Sequence, residues 1–369
     1  MKKIFILLFM FYIGIVSSAE PSPLEKRAIL DEGFQWLSPL KVDEVLSRIK
    51  YAGFNIFVPI VWHGRGASWN SKLVEEREPR WIDHARQVND PLKVLIEKAH
   101  RLGIDVHPWF TVVLRQREFY SEFYNADTPK QAFNIHNDSY REFIIELMLE
   151  VVRNYDIDGV NLDYIRSMGN CLSVACVADY KSKTGRDLKA DNKLQWDDHD
   201  SGFHISKWNE SQITYIVKQF SERARAIKPE LVISVDTHVN NRRLTLEGAD
   251  SIKWANSGYI DVVYDMQYGD ELDISSFEQA KVSLHDPSKL VLMLGNFQRS
   301  VINKSTVEPK QTGLFIDQVQ KVLNIAGDSA AMAVYEYRYL EEEQVQALRA
   351  GPFSEYLDLR EDELRKRAK

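Results

Sequence analysis

The stretch Asp158-Gly159-Val160-Asn161-Leu162-Asp163-Tyr164-Ile165-Arg166 has the residue types and spacing to do chemistry. It reads as a buried strand that carries a carboxylate to its C-terminal end. Side chains alternate along a strand, so Asn161 and Asp163 share one face while Val160 and Leu162 pack on the other. At the C-terminal rim of a parallel barrel such a carboxylate points into the active-site mouth, whereas the opposite rim serves stability. The plainer reading of Asp163 alone is a helix cap, or an ion pair with Arg166.

Polar residues at other expected strand ends join it. His63 and Arg65 follow the second strand, and His107 and Trp109 lie on the third. Asp236 and His238 close the fifth, Asp265, Gln267 and Tyr268 the sixth, and Glu336 the eighth. The result is a carboxylate-rich pocket with aromatic walls. Sugars suit such a site, because their hydroxyls need acceptors and their C–H faces stack on aromatic rings. Glycoside hydrolysis requires two carboxyl groups, a proton donor and a nucleophile or base. Asp163 is expected to be the nucleophile or the general acid, opposite Asp236, Asp265 or Glu336. Trp62, His63, Arg65, His107, Trp109, Asn161, Tyr164, Arg166, His238, Gln267 and Tyr268 form the expected substrate-binding set. Plainer readings stand beside these: Asp236 orienting His238 or capping a turn, Asp265 bonding substrate hydroxyls together with Gln267, Glu336 paired with Arg338, and His107 and Trp109 packed within a barrel.

Apolar runs of strand length alternate with amphipathic helical stretches about eight times, which is the signature of parallel strands joined by crossover helices. Strands are expected over Ala28–Asp31, Asn55–Trp62, Asp105–Val112, Gly159–Tyr164, Leu231–Thr237, Val262–Gln267, Leu290–Asn296 and Ala331–Tyr337. Helices are expected over Val42–Tyr51, Pro91–Leu102, Ser139–Asn154 and Gln212–Ile227. Asp90-Pro91 supplies a capping aspartate and a first-turn proline, and Gly53 and Gly103 suit left-handed helix endings. The expected fold is a (β/α)8 barrel, with long loops at its C-terminal face over Gly64–Asn89, Leu114–His136 and Ser167–Ser206.

Lys2 and Lys3, the apolar run Ile4–Val16 and the small residues Ser17-Ser18-Ala19 form an expected signal peptide over residues 1–19. The barrel is then expected over residues 20–350, with a helical tail over 351–369. Such a protein would be periplasmic or secreted, with no stable membrane insertion after cleavage. Its composition, 44% hydrophobic and 27% charged over 369 residues, is that of a globular protein. Losing two lysines with the leader takes the formal charge from −7 to −9. An acidic surface without a basic stripe argues against nucleic acid as a partner. In an exported protein Cys171 and Cys176 are expected to form a disulfide, although their spacing alone leaves free thiols open. No metal site and no cofactor is expected, and oligomeric state is not legible.

Several ordered stretches resemble the glycosyl hydrolase-like family ten of bacterial envelope barrels, once a domain of unknown function. They are Asn89-Asp90-Pro91 with Ala99 to Phe110, Tyr140-Arg141-Glu142-Phe143 with Tyr155 to Tyr164, Trp208-Asn209 with Ile227-Lys228-Pro229, and Ser251 to Asn256 with Gly258 to Asp261. The resemblance runs from about Arg27 to Leu340. It implies a (β/α)8 barrel that hydrolyses glycan, with Asp163 as the catalytic aspartate, and relatives that act on peptidoglycan glycan strands. This chain departs from the family in carrying Ala67 after Arg65-Gly66, and in following Asp163 with Tyr164 rather than a second aspartate. The expected activity is cleavage of O-glycosidic bonds in a cell-envelope polysaccharide. Two rivals remain: a polysaccharide-binding barrel without catalysis, gripping through Trp62, Trp69 and Trp109, and a metal-dependent amidohydrolase, which lacks the His-x-His pair of that class.

Overall fold

The computed structural model describes residues 26–64, 66–77, 89–116, 118, 120–300, 305–327, 331–354 and 356–357. The expected leader and Arg65 lie outside them. Strands β1 (Arg27–Asp31), β2 (Ile56–Trp62), β3 (Asp105–Val106), β4 (Trp109–Thr111), β5 (Gly159–Asp163), β6 (Val232–Thr237), β7 (Val262–Gln267) and β8 (Leu290–Gly295) are followed by the hairpin pair β9 (Phe297–Arg299) and β10 (Val307–Pro309) and by β11 (Met332–Tyr335). All neighbouring pairs in the main sheet are parallel, and β1 bonds to both β2 and β11, so the sheet closes on itself as a (β/α)8 barrel.

Alternation sorts the strand residues into two layers. Ala28, Leu30, Val58, Ile60, Trp109, Tyr264, Met293 and Ala333 fill the barrel interior. Ile29, Phe57, Phe110, Val160, Leu162, Val235, Val263 and Val334 face the surrounding helices and form the larger apolar layer. Both faces are buried, which is why these strands read as continuous apolar runs.

The helices begin and end where local chemistry dictates. Asp90 caps the helix Pro91–Arg101 by accepting from the Lys93 N–H at 3.3 Å, with Pro91 in the first turn. Gly53 ends the helix Val42–Ala52 at φ 98°, a conformation that suits a residue without Cβ. Phe353, in the expected tail, is buried edge-on against Phe54 at 5.5 Å.

Three local expectations change. The third strand, expected over Asp105–Val112, divides into β3 and β4 around His107-Pro108, because a proline cannot donate to the ladder. The helix expected from Gln212 begins earlier, at His199, where the Asp198 side chain accepts from the Ser201 N–H at 2.7 Å. The expected loop after β5 is largely helical, with Val174–Thr184 and Leu188–Leu194 folded over a small core of Tyr180, Leu188, Ile205 and Trp208. Cys171 and Cys176 form a disulfide there, their Cα atoms 5.9 Å apart.

His107 lies beside the start of β5, packed on Gly159, low in the barrel wall. A Cβ on Gly159 would stand 2.6 Å from His107 Nδ1 and 2.7 Å from two further ring atoms, so the whole imidazole would have to move. Gly159→Ala is therefore expected to lower stability by about 1–3 kcal/mol, the usual cost of overpacking. Thermal unfolding should show Gly159→Ala/His107→Ala recovering part of the loss; equal melting points for Gly159→Ala and the unaltered chain would contradict the packing.

Candidate active site at the C-terminal rim

Asp163 and Asp236 are acidic neighbours on the inner face of the rim. The pairing Leu162↔Val235 puts the next positions, Asp163 and Asp236, side by side on neighbouring strands. Parallel neighbours stand roughly 4.8 Å apart. Both side chains are buried. At about 5 Å and an effective dielectric near 20, two negative charges repel by about 3 kcal/mol, enough to keep one proton on the pair near neutral pH. Burial pushes Asp163 up to about 6, opposed by the Tyr164 N–H, the Arg166 and His63 charges and the nearby Trp109 indole. Asp236 is raised well above the ordinary carboxylate range by burial and by Asp163, and only Asn161 opposes this.

Backbone geometry aims the pair. Tyr164 is left-handed at φ 46°, a strained state for a bulky residue, and its N–H donates to Asp163 Oδ1 at 2.6 Å. Asn161, one pleat deeper, donates through Nδ2 to Asp236 Oδ1 at 2.8 Å and to Ser234 Oγ at 3.0 Å. It holds Asp236 from below rather than reaching the mouth.

A second acidic group stands at the ends of β1 and β11. Glu336 Oε1 accepts from Arg338 at 2.5 Å and Glu336 Oε2 from the Glu32 N–H at 3.3 Å. Arg338 also bonds Glu32 Oε1 at 2.9 Å, and His63 Nε2 lies 3.2 Å from Glu32 Oε2, with Gln116 against the same imidazole. Burial, then the Glu32 charge, lifts Glu336 to about 7. Glu32 goes the other way: His63, Arg338 and Tyr335 outweigh its burial and hold it below the ordinary range. Glu32 and the neighbouring Asp31 were outside the expected site, because a single acid after a short apolar run carries no motif.

Aromatic side chains line the mouth beside these acids. Tyr335 meets Trp109 edge-on at 6.0 Å and Tyr268 at 5.2 Å, and Phe297 packs on Tyr268 at 5.5 Å and on Tyr339 at 5.7 Å. Phe297 enters from the β9–β10 hairpin, which strand-length apolar runs did not reveal. His238 sits at the edge of this wall, its Nδ1 2.7 Å from the Met266 carbonyl, while the Tyr268 hydroxyl reaches Met293 Sδ at 3.4 Å.

Several expected site residues stand elsewhere. Trp62 is fully buried in the helix-facing layer, stacked on Tyr120 at 6.3 Å, because the strand register shifts between Ile60 and Trp62 and turns the indole outward. Trp69 is equally buried and donates to Glu150 Oε2 at 3.0 Å. His107 sits below the mouth, and burial lowers it to about 4. Asp265 alternates with Tyr264 onto the outer face, where it accepts from the Val239 N–H at 3.0 Å and from Gln267 Nε2 at 2.7 Å. Gln267 spends its remaining capacity on Asp273, so this pair braces a loop. Arg166 stacks on Tyr164 at 4.7 Å and pairs with Glu247 at 2.9 Å, which fixes the segment behind Asp163. Among the described residues no group of three or more His, Cys, Asp or Glu side chains is placed to hold a metal ion.

Comparison with known proteins agrees with the barrel fold. The profile described as Glycosyl hydrolase-like 10 matches residues 30–140 and 123–312. The protein named Glycosyl hydrolase YngK of Bacillus subtilis (strain 168) is 25% identical over 154 residues, 38% of this chain and 28% of YngK. Among solved structures, the β-galactosidase of Marinomonas ef1 superposes with a TM-score of 0.63 at 10% identity, over 91% of this chain and 60% of that one. The β-amylase catalytic domain of Paenibacillus polymyxa gives 0.59 at 10% identity, over 90% and 99%. The α-L-fucosidase isoenzyme 2 of Paenibacillus thiaminolyticus gives 0.57 at 16% identity, over 90% and 49%. These superpositions share the barrel fold. The chain spans about half of the fucosidase and a smaller part of YngK.

Asp31 supplies a stability test independent of activity. Burial pushes its carboxyl up to about 6, and Oδ2 is buried with no hydrogen-bond partner while Oδ1 accepts from the Gly33 N–H. An acid raised in the fold costs nothing while both states are protonated. The cost grows as pH rises from about 4 to about 6 and is constant above, reaching about 3 kcal/mol. Asp31→Asn keeps the Gly33 bond and should raise the melting temperature at pH 8 but not at pH 3.5. An equal change at both pH values would show that the buried charge is not the cause.

Proposed function

Because the chain belongs to the glycosyl hydrolase-like 10 family, we propose that it hydrolyses O-glycosidic bonds of a polysaccharide, with Asp163 as the proton donor. The observation that carries this reading is the in-register pair Asp163 and Asp236, buried together beside an aromatic wall. A general acid working near neutral pH has to keep its proton past the ordinary carboxylate range, and both burial and a like charge supply that. Asp163 would give its proton to the bridging oxygen as the bond to the anomeric carbon breaks. Asp236, held by Asn161, keeps the pair protonated. Trp109, Tyr335, Tyr268 and Phe297 offer flat faces for a sugar ring, and a water-poor rim strengthens each charge contact there.

The substrate proposed is a cell-envelope glycan, with peptidoglycan glycan strands as the leading member of that class, met outside the cytoplasm. The lysine pair, apolar run and small residues at the N-terminus support export. Two adjacent buried acids cost stability, and acids held at such a cost favour a catalytic barrel over one that only grips polysaccharide.

Asp163→Asn keeps the shape and removes the proton. Cleavage of purified cell-wall glycan, read by mass spectrometry, should fall about 10³-fold, while calorimetric binding of the same glycan changes little. Undiminished cleavage would refute the role of Asp163. The pair releases its protons in two macroscopic steps, and the second is raised because it leaves two like charges side by side; Asp236→Asn abolishes that raised step and leaves a single acid lifted by burial alone. The alkaline limb of the kcat profile should then move to lower pH; an unmoved limb would separate Asp236 from the acid.

A further inference from the structure

Glu32 directly follows β1 and belongs to no recognisable pattern in the chain, yet it is a framed acid that solvent can reach at the rim. Arg338 holds Oε1 at 2.9 Å, His63 holds Oε2 at 3.2 Å, and the Glu32 backbone N–H donates to Glu336 at 3.3 Å. Both oxygens of each acid have protein partners, but the Glu32 side chain keeps 25% exposure against 1% for Glu336. Glu336 therefore acts as a brace. Glu32 presents its carboxylate to the mouth.

Around the closed barrel, β1 and β5 are separated by β2 and the divided β3/β4 strand, so Glu32 and Asp163 approach from different sides of the opening. Three side chains connect them. Tyr335 packs edge-on against Trp109 at 6.0 Å, its hydroxyl bonds Glu32, and it lies within the field of Asp163. Tyr164 lies within the field of both acids, and the His63 charge acts on both. Glu32 and Asp163 thus share His63, Tyr164 and Tyr335 as neighbours, with Arg338 as the counter-charge of Glu32.

Resting on the hydrolase reading above, we infer that Glu32 is the second carboxylate of the reaction, the general base that activates water, with Arg338 and Glu336 as positioning residues. The two acids follow strands separated by β2 and the divided third strand rather than by direct neighbours, and a wide separation that admits a water is the arrangement of an inverting glycosidase. In the step, the water oxygen bonds to the anomeric carbon and one of its O–H bonds breaks, the proton passing to Glu32. The bond from that carbon to the bridging oxygen breaks, its electron pair stays on the oxygen, and the oxygen takes the proton of Asp163. One water is consumed, and the two carboxyl groups exchange protonation and reset through solvent.

The test uses the full chain and purified cell-wall glycan stripped of peptides. Proton NMR of the first product should show the anomer opposite to that of the bond cleaved. Glu32→Gln should lower kcat about 10³-fold and remove the acidic limb of the kcat profile, with KM changed only a few-fold. Arg338→Lys, which weakens the clamp without removing the carboxylate, should lower kcat less and move the acidic limb to higher pH. Glu32→Asp, with melting temperature and glycan binding measured alongside, keeps the test decisive if the Gln variant fails to fold: it should bind normally and cleave slowly. Retained configuration, an unmoved acidic limb, or a folded Glu32 variant within about tenfold of the unaltered kcat would overturn the assignment. No cleavage by the unaltered chain, with binding intact, would sink the hydrolase reading and this assignment together. Cleavage that survives Glu32→Gln would sink this assignment alone.

Discussion

Two carboxyl groups on adjacent parallel strands, level with each other and shielded from water, are the constraint around which the barrel mouth is arranged. Register fixes them as neighbours, since Leu162 pairs with Val235 and one further step along each strand brings Asp163 beside Asp236. Water cannot screen them where they stand. Keeping a proton in the pair is the cheapest way to hold two acids so close, and this is what turns an ordinary aspartate into a group able to donate near neutral pH. Asn161 below and the left-handed Tyr164 above leave the pair little freedom to separate.

The other side of the rim solves the opposite problem. Glu32 and Glu336 are also close, but Arg338 bridges them and His63 adjoins Glu32, so one acid stays ionised while the other is buried. The mouth therefore holds a protonated side and an ionised side, with Tyr335, Tyr268, Trp109 and Phe297 forming a ring-lined wall between strand ends. Such a division of labour is what acid-base chemistry at a single bond requires. The layers beneath, apolar on both faces of every strand, hold these strand ends in place.

The strand and helix alternation was legible because its cause is local: burial on both faces makes apolar runs, and caps such as Asp90 and Gly53 act on their own helix. Asp163 was legible for the same reason, as a polar interruption at the end of an apolar strand. Asp265 looked equivalent from its strand alone, but alternation sends it outward to the Val239 N–H and Gln267. Trp62 looked like a platform for sugar until the register shift beside Ile60 turned it into the helix layer. Glu32 carried no signal, since its partners Arg338 and Glu336 lie at the far end of the chain.

The amino-acid order by itself determined the barrel, the rim at which polar strand ends collect, and the place of Asp163 at the end of its strand, because periodicity and strand-end polarity are written in neighbouring residues. Tertiary structure alone decided which acids meet. Closing the sheet joins β1 to β11 and fixes the register of β5 against β6. Charge-charge coupling depends on distances of a few ångströms between residues far apart in sequence, and no local pattern sets those distances.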